Sequence, residues 1–463
     1  MVQFECGTRI LRVIHGPDAR AKANCVTTGL VRTRHSRGEV LITPADKRYQ
    51  TRRVVKLFFN VRKIGKPSIW VAAAIGLASL CVITYANWQW FLQDSRNGTV
   101  GAAGSMSMKR AAHTATLLPN GDVLIAGGME RAEGNEINTA TAELYDYRSR
   151  SFVRTGSMSV ARAGHTATLL PNGDVLITGG FDDGKALASA EIYHAQTRTF
   201  TATSAMSVAR DRHAATRLQN GAILITGGNR GQGVQTVETA EVYDPAKQRF
   251  EIVGSMHSPR SAHAATLLDD GRVLITGGSR ERFAEVLNSA EVYHPVNQGF
   301  QTLPNMNAPR HKQASTLLAD GRVLVSGGSD NAREMGGREA TSEIFDPKQN
   351  TFVLTGPMAA ARFKFTSAVV LIANGNVIVA GDGNYAEVYH PTIGAYGTAL
   401  GRLDSAWMYA SAAALPDGSV LITGGYDASM RITEGAWLYR PPPQVALRTN
   451  VVDRLYAAIV GMI

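Results

Sequence analysis

Residues 165–180 read HTATLLPNGDVLITGG, from His165 to Gly180. Two short apolar runs flank Asn172-Gly173. Asn and Gly tolerate positive φ, so the stretch predicts a tight β-hairpin turning on that pair. A third strand follows at Ala190-Glu-Ile-Tyr193, and a fourth begins at Phe200, seven residues after the tyrosine.

The same grammar recurs along the chain. Gly-Gly stands at 127–128, 179–180, 227–228, 277–278, 327–328 and 424–425, with Gly381-Asp382 in the remaining place. The intervals are 52, 48, 50, 50, 54 and 43 residues. Each unit carries an Asn-Gly or Asp-Gly turn, from Asn120-Gly121 to Asp417-Gly418, and the fourth-strand aromatic is Phe152, Phe200, Phe250, Phe300, Phe352 or Tyr396. A four-stranded antiparallel sheet of this size cannot bury both faces alone, so the units stack as blades around an axis. The expected fold is all-β, a seven-bladed β-propeller over residues 99–443. After Tyr439 the fourth-strand aromatic is missing, since Ala446 takes its place. Thr99–Met106 instead ends in Gly104-Ser105-Met106, a copy of the fourth-strand ending Gly156-Ser157-Met158. The N-terminal strand is therefore expected to complete the last blade and leave no open edge.

The flanks read differently. Residues 1–67 hold 15 Lys/Arg and four Asp/Glu, while the rest holds 33 against 34. The net +10 therefore sits in the leader, and the neutral remainder implies no basic face for nucleic acid. Residues 1–66 read as a basic, disordered cytoplasmic leader. Residues 67–93 carry no charge and have Trp70, Trp88 and Trp90 at their ends. At about 1.5 Å per residue, the 18 residues Ile69–Ala86 span roughly 27 Å, which predicts a single transmembrane signal anchor. The basic side stays inside, placing the propeller on the extracytoplasmic side of the cell membrane. Residues 444–463 predict an amphipathic tail, with Val451, Leu455 and Ile459 at helical spacing.

Gly-Gly, then Tyr, then an aromatic seven residues later resembles the kelch motif, with Phe where Trp is commoner. The His-Thr-Ala-Thr-Leu-Leu-Pro-Asn-Gly stretch is similar to the bacterial branch related to galactose oxidase. The resemblance covers residues 99–440 and implies fold far more than function. Enzymes of that branch use copper and a cysteine cross-linked to tyrosine. The three cysteines here are Cys6, Cys25 and Cys81, so that chemistry is excluded from the propeller, and no cofactor is expected.

Arg110, Arg162, Arg210, Arg260, Arg310 and Arg362 share one position, three residues before the position held by His113, His165, His213 and His263. Six guanidiniums around one channel mouth would suit an acidic peptide or a sugar acid, because arginine forks grip carboxylates. Kelch adaptors for acidic peptides use arginines near such positions, which the resemblance makes relevant. The competing reading is structural: Glu143, Glu191, Glu241, Glu291, Glu343 and Glu387 keep the same period and can pair with them. Blade 7 loses both, with Trp407 near the arginine position and Trp437 in place of the glutamate, which favours pairing and marks Trp407 as an asymmetric binding lip. The histidines, replaced by Gln313 and Phe365 in two blades, read as packed strand residues rather than metal ligands. The function expected is a protein- or carbohydrate-binding scaffold; the alternative is a sugar-acid epimerase, which needs an arginine and an unpaired Glu or His in one pocket.

Overall fold

In the computed structural model the described residues are 97–443, apart from 133–134, 231–234, 282–283 and 332–336, together with four short strands nearer the N-terminus. The chain divides into two units, Met1–Ala86 and Asn87–Ile463. In the first, Val2–Cys6 pairs with Arg9–Val13, and Val31–His35 pairs with Gly38–Ile42. These two hairpins are what the structure describes of the stretch read as a basic leader. The expected anchor at 67–93 and tail at 444–463 lie outside the described residues. Among the described residues no helix is long and apolar enough to cross a membrane.

The second unit holds seven four-stranded antiparallel sheets. Blade 2 is typical: Thr166–Leu169, Val175–Thr178, Ala190–His194 and Thr199–Ala202 pair in that order. Its second strand, Val-Leu-Ile-Thr, is wholly buried. Both of its faces are covered because Leu176 packs in one inter-blade cluster and Ile177 in the other. That is why these strands read as continuous apolar runs instead of alternating. The first strands contact one another around the whole circle.

Closure follows the sequence expectation. Blade 7 consists of Ser411–Ala414, Val420–Thr423, Gly435–Arg440 and the N-terminal strand Thr99–Ser105. Leu438 pairs with Gly101, and Tyr439 with Val100. The ring is thus zipped by chain ends, and the last blade offers no unpaired strand edge there.

Two local devices repeat. The aromatic partners stack in six blades, as in Tyr193–Phe200 with centroids 4.9 Å apart. The Gly-Gly pair lets neighbouring blades touch: a Cβ on Gly127 would stand 2.6 Å from the Arg162 carbonyl oxygen. The hairpin turns differ from expectation. Gly121 donates its N–H to the Leu118 carbonyl at 3.0 Å, and only the glycine, not Asn120, has positive φ. The turn therefore spans Leu118–Gly121, with Pro119 fixing φ at the first corner and glycine closing it. Asn120 contributes through its side chain, whose Oδ1 accepts the Asp122 N–H at 3.1 Å.

Candidate functional site: the mouth of the central cavity

The six periodic arginines are fully buried. In blade 3, Arg210 donates Nη1 to the carbonyls of Gly227 and Thr239, both at 2.9 Å, and Nη2 to Glu241 Oε1 at 2.7 Å. Glu241 uses its other oxygen to accept the Ser207 N–H at 2.7 Å. One ion pair thus ties the lead-in to the first strand, the Gly-Gly turn and the third strand together. Arg110–Glu143, Arg162–Glu191, Arg260–Glu291, Arg310–Glu343 and Arg362–Glu387 repeat it at 2.7–3.1 Å. The expected ring of guanidiniums at a channel mouth is corrected accordingly: Arg110, Arg162, Arg210, Arg260, Arg310 and Arg362 point into their own blades, and none lines the central cavity. Trp407, expected as a lip, is only 6% exposed. It packs on Trp437 with centroids 6.0 Å apart, and its Nε1 donates to Asp404. The two tryptophans fill the place of the missing ion pair.

The histidines stitch blades together. Nε2 of His113 lies 2.9 Å from Thr423 Oγ1, and Nε2 of His263 lies 2.9 Å from Thr226 Oγ1, each in the preceding blade. Gln313 does the same by donating to the Thr276 carbonyl at 2.7 Å. Burial, reinforced by the neighbouring arginine charges, depresses His165 and His263 to about 3, so these rings are neutral at ordinary pH. Among the described residues no group of three or more His, Cys, Asp or Glu has metal-holding geometry.

Two residues beyond each arginine position the chain does something the sequence did not announce. Ala112, Arg212, Ala262, Lys312, Lys364 and Tyr409 all have φ between 50 and 56°, and Gly164 has 60°. Such values are uncommon for residues with a Cβ and carry a steric cost. The compensation is a hydrogen-bonded annulus. Except at Lys364, the backbone N–H donates to the carbonyl of the equivalent residue in the preceding blade, for example Gly164 to Ala112 at 3.1 Å, Ala262 to Arg212 at 2.9 Å and Tyr409 to Lys364 at 2.7 Å. Six of the seven steps around the axis are closed this way.

This annulus surrounds an axial cavity of about 290 Å³ lined by all seven blades. Its described lining includes Arg212, Lys312 and Lys364 and no carboxylate. Each cation is held. Arg212 lies 3.2 Å from Asp211, and Lys364 Nζ donates to the Tyr426 hydroxyl at 2.9 Å. Lys312, Arg338 and Lys364 stand 5.9, 4.9 and 5.0 Å from the centroid of the buried Phe363 ring. Asp382, where other blades have the second glycine, pairs with Arg338 at 3.1 Å and accepts the Phe363 N–H at 2.9 Å. Burial pushes its carboxyl up to about 6 against the pull of these cations.

Residue type alone does not reveal the annulus. What was available is position: the two residues after the arginine site change from blade to blade, the second of them among Ala, Gly, Arg, Lys and Tyr. The variable loops between second and third strands share this face, because Ala111 bridges Met129 and Ala163 bridges Phe181 at their roots.

Comparison with known proteins agrees with this architecture. The model of the KLHDC2/KLHL20/DRC7 kelch-repeats domain matches residues 112–328, which run from the start of blade 1 to the second strand of blade 5. No curated protein matches the chain. The matched segment is thus similar to that kelch-repeats domain, in keeping with the four-stranded blades it spans.

Proposed function

We propose that this protein is a binding scaffold whose site is the mouth of the axial cavity, and that it takes an acidic ligand there. The observation that carries the reading is the lining: Arg212, Lys312 and Lys364 converge on the cavity, with no carboxylate among its described residues. A partly enclosed site strengthens charge pairing relative to open water, so an anionic group gains there what it would not gain on the surface. Binding is favoured over turnover because the nearby histidines are neutral and engage threonine hydroxyls, and the periodic glutamates hold arginines. No glutamate is among the described lining of the cavity, and the lining histidines are buried with Nε2 of His113 and His263 engaged by threonine hydroxyls.

On the same reading residues 67–93 hold the protein in the cell membrane by one pass, with the propeller on the extracytoplasmic side. The support is the charge-free run and the basic leader before it. Protease accessibility in intact cells tests that topology; digestion only after lysis would overturn it.

The ligand is tested by probing the full-length protein with arrays of acidic peptides and acidic glycans. Retention of an acidic probe, weakened by salt, is expected. Saturable turnover of a sugar, or no preference for acidic probes, would overturn the proposal.

A further inference from the structure

The fourth strand of each blade is the outer edge of its sheet, far from the cavity that the first strands surround. Such edges pair readily with another chain unless charges, bulges or polar residues blunt them. Blade 1 ends its edge with Arg154, and blade 3 carries exposed Arg249 and Glu251 and a register shift at Ala240/Glu241. Blades 2, 4 and 6 place Thr201, Gln301 and Gly397 one residue after the edge aromatic. The blade 7 edge contains Gly101 and Gly104 and a register shift of its own. Blade 5 has none of these. Its edge, Thr351–Thr355, reads TFVLT, with no charge, glycine or proline. Val353 and Leu354 are 60% and 57% exposed, the one adjacent pair of exposed large apolar side chains among the described residues. The strand is nevertheless held: Phe352 stacks on Phe345 with centroids 4.8 Å apart, and the Thr355 hydroxyl lies 2.8 Å from that of Tyr389 in blade 6. Pairing there needs little further ordering.

The order of residues tells what the edge fits. Turned antiparallel on itself about Val353, the strand sets Thr351 against Thr355, Phe352 against Leu354 and Val353 against Val353. Every opposed pair is alike in kind, and matched cross-strand pairs of this sort stabilise a sheet. A two-fold axis makes one surface serve as both halves of a contact, so a self-complementary strand suits a homodimer, whereas a foreign strand needs no such symmetry. The pairing also has natural ends. Pro357 has no N–H to donate, and Asn350 turns away with a φ of 54°. We infer that two copies of this chain join edge to edge through Thr351–Thr355, so that two four-stranded blades become one continuous sheet. The inference is independent of the ligand at the mouth.

The test is sedimentation velocity of the full-length protein in detergent, from about 1 to about 100 μM. A five-residue strand pair is a small interface, so a concentration-dependent dimer is expected within that range. Val353→Lys and Val353→Glu each set like charges against each other at the axis and should weaken the dimer at least about tenfold. Mixed in equal amounts, the two variants should dimerise again. Gln301→Lys, at the equivalent position in blade 4, should dimerise as wild type does. A second readout uses a background carrying Cys6→Ser, Cys25→Ser and Cys81→Ser. There Val353→Cys should oxidise to a disulfide-linked dimer, because residues opposed across an antiparallel pair lie within disulfide reach, and Gln301→Cys should not. If a charged variant melts below wild type, the cross-link alone decides. A wild type still monomeric at about 100 μM, a dimer untouched by Val353→Lys, no recovery on mixing, or no cross-link at Val353→Cys overturns the inference and leaves the mouth reading standing.

Discussion

Arg210 and Arg212 stand two residues apart and belong to different machines. Arg210 is fully buried, saturated by two carbonyls and Glu241, and repeated in five other blades. Arg212 lines the cavity in a left-handed backbone conformation, at a position filled elsewhere by Ala, Gly, Lys or Tyr. Strict recurrence in a pseudo-symmetric ring marks what each blade needs in order to stand. Variation at a fixed backbone position marks where the ring is free to differ, and specificity on a repeat scaffold lives there.

The contrast breaks most sharply at the clasp. Arg210→Ala leaves the Glu241 carboxylate buried beside two unmet carbonyls, a loss of about 3–5 kcal/mol that urea denaturation would read. A shift below about 1 kcal/mol would mean the clasp is not structural. Asp382 gives a smaller effect with a defined sign. Its carboxyl titrates near 6 in the fold, against an ordinary value of 3.8, so the folded state holds a proton that the unfolded chain has released between those values. Stability from this site therefore rises as pH falls through 6 and is lost as pH rises through it. Relative to Asp382→Asn, the wild type should gain about 1 kcal/mol between about pH 7.5 and about pH 5 in thermal melts. Parallel pH profiles would refute this assignment. The smallest effect sharpens the annulus. Ala262→Gly relieves a left-handed φ of 51° but frees the unfolded chain, so stability should stay within about 1 kcal/mol of wild type. A loss of several kcal/mol would show that the alanine methyl, not the backbone, holds the ring.

What was legible in the sequence follows from these distinctions. The seven blades could be read because the buried second strand recurs in all of them and the glycine pair and the aromatic stack in six each, and each need leaves a residue type behind. Closure could be read because Gly104-Ser105-Met106 repeats a fourth-strand ending. The joint absence of arginine and glutamate in blade 7 already pointed to pairing, and Trp407 on Trp437 shows what replaces it. The annulus was not legible because backbone N–H and carbonyl groups build it, and these leave no signature in side chains. The turn geometry was misjudged for a related reason: Asn120 acts through its amide side chain, while Gly121 alone supplies the positive φ.

The most direct test sets the two arginines side by side. Full-length Arg212→Gln and Arg210→Gln are melted and titrated with a labelled acidic peptide retained from the array. Arg212→Gln should melt within a few degrees of wild type and lose at least about tenfold in affinity. Arg210→Gln should melt far lower and, below its transition, bind nearly as wild type does. If Arg210→Gln folds normally yet loses the ligand while Arg212→Gln keeps it, the buried ring is the site and the mouth is scaffold.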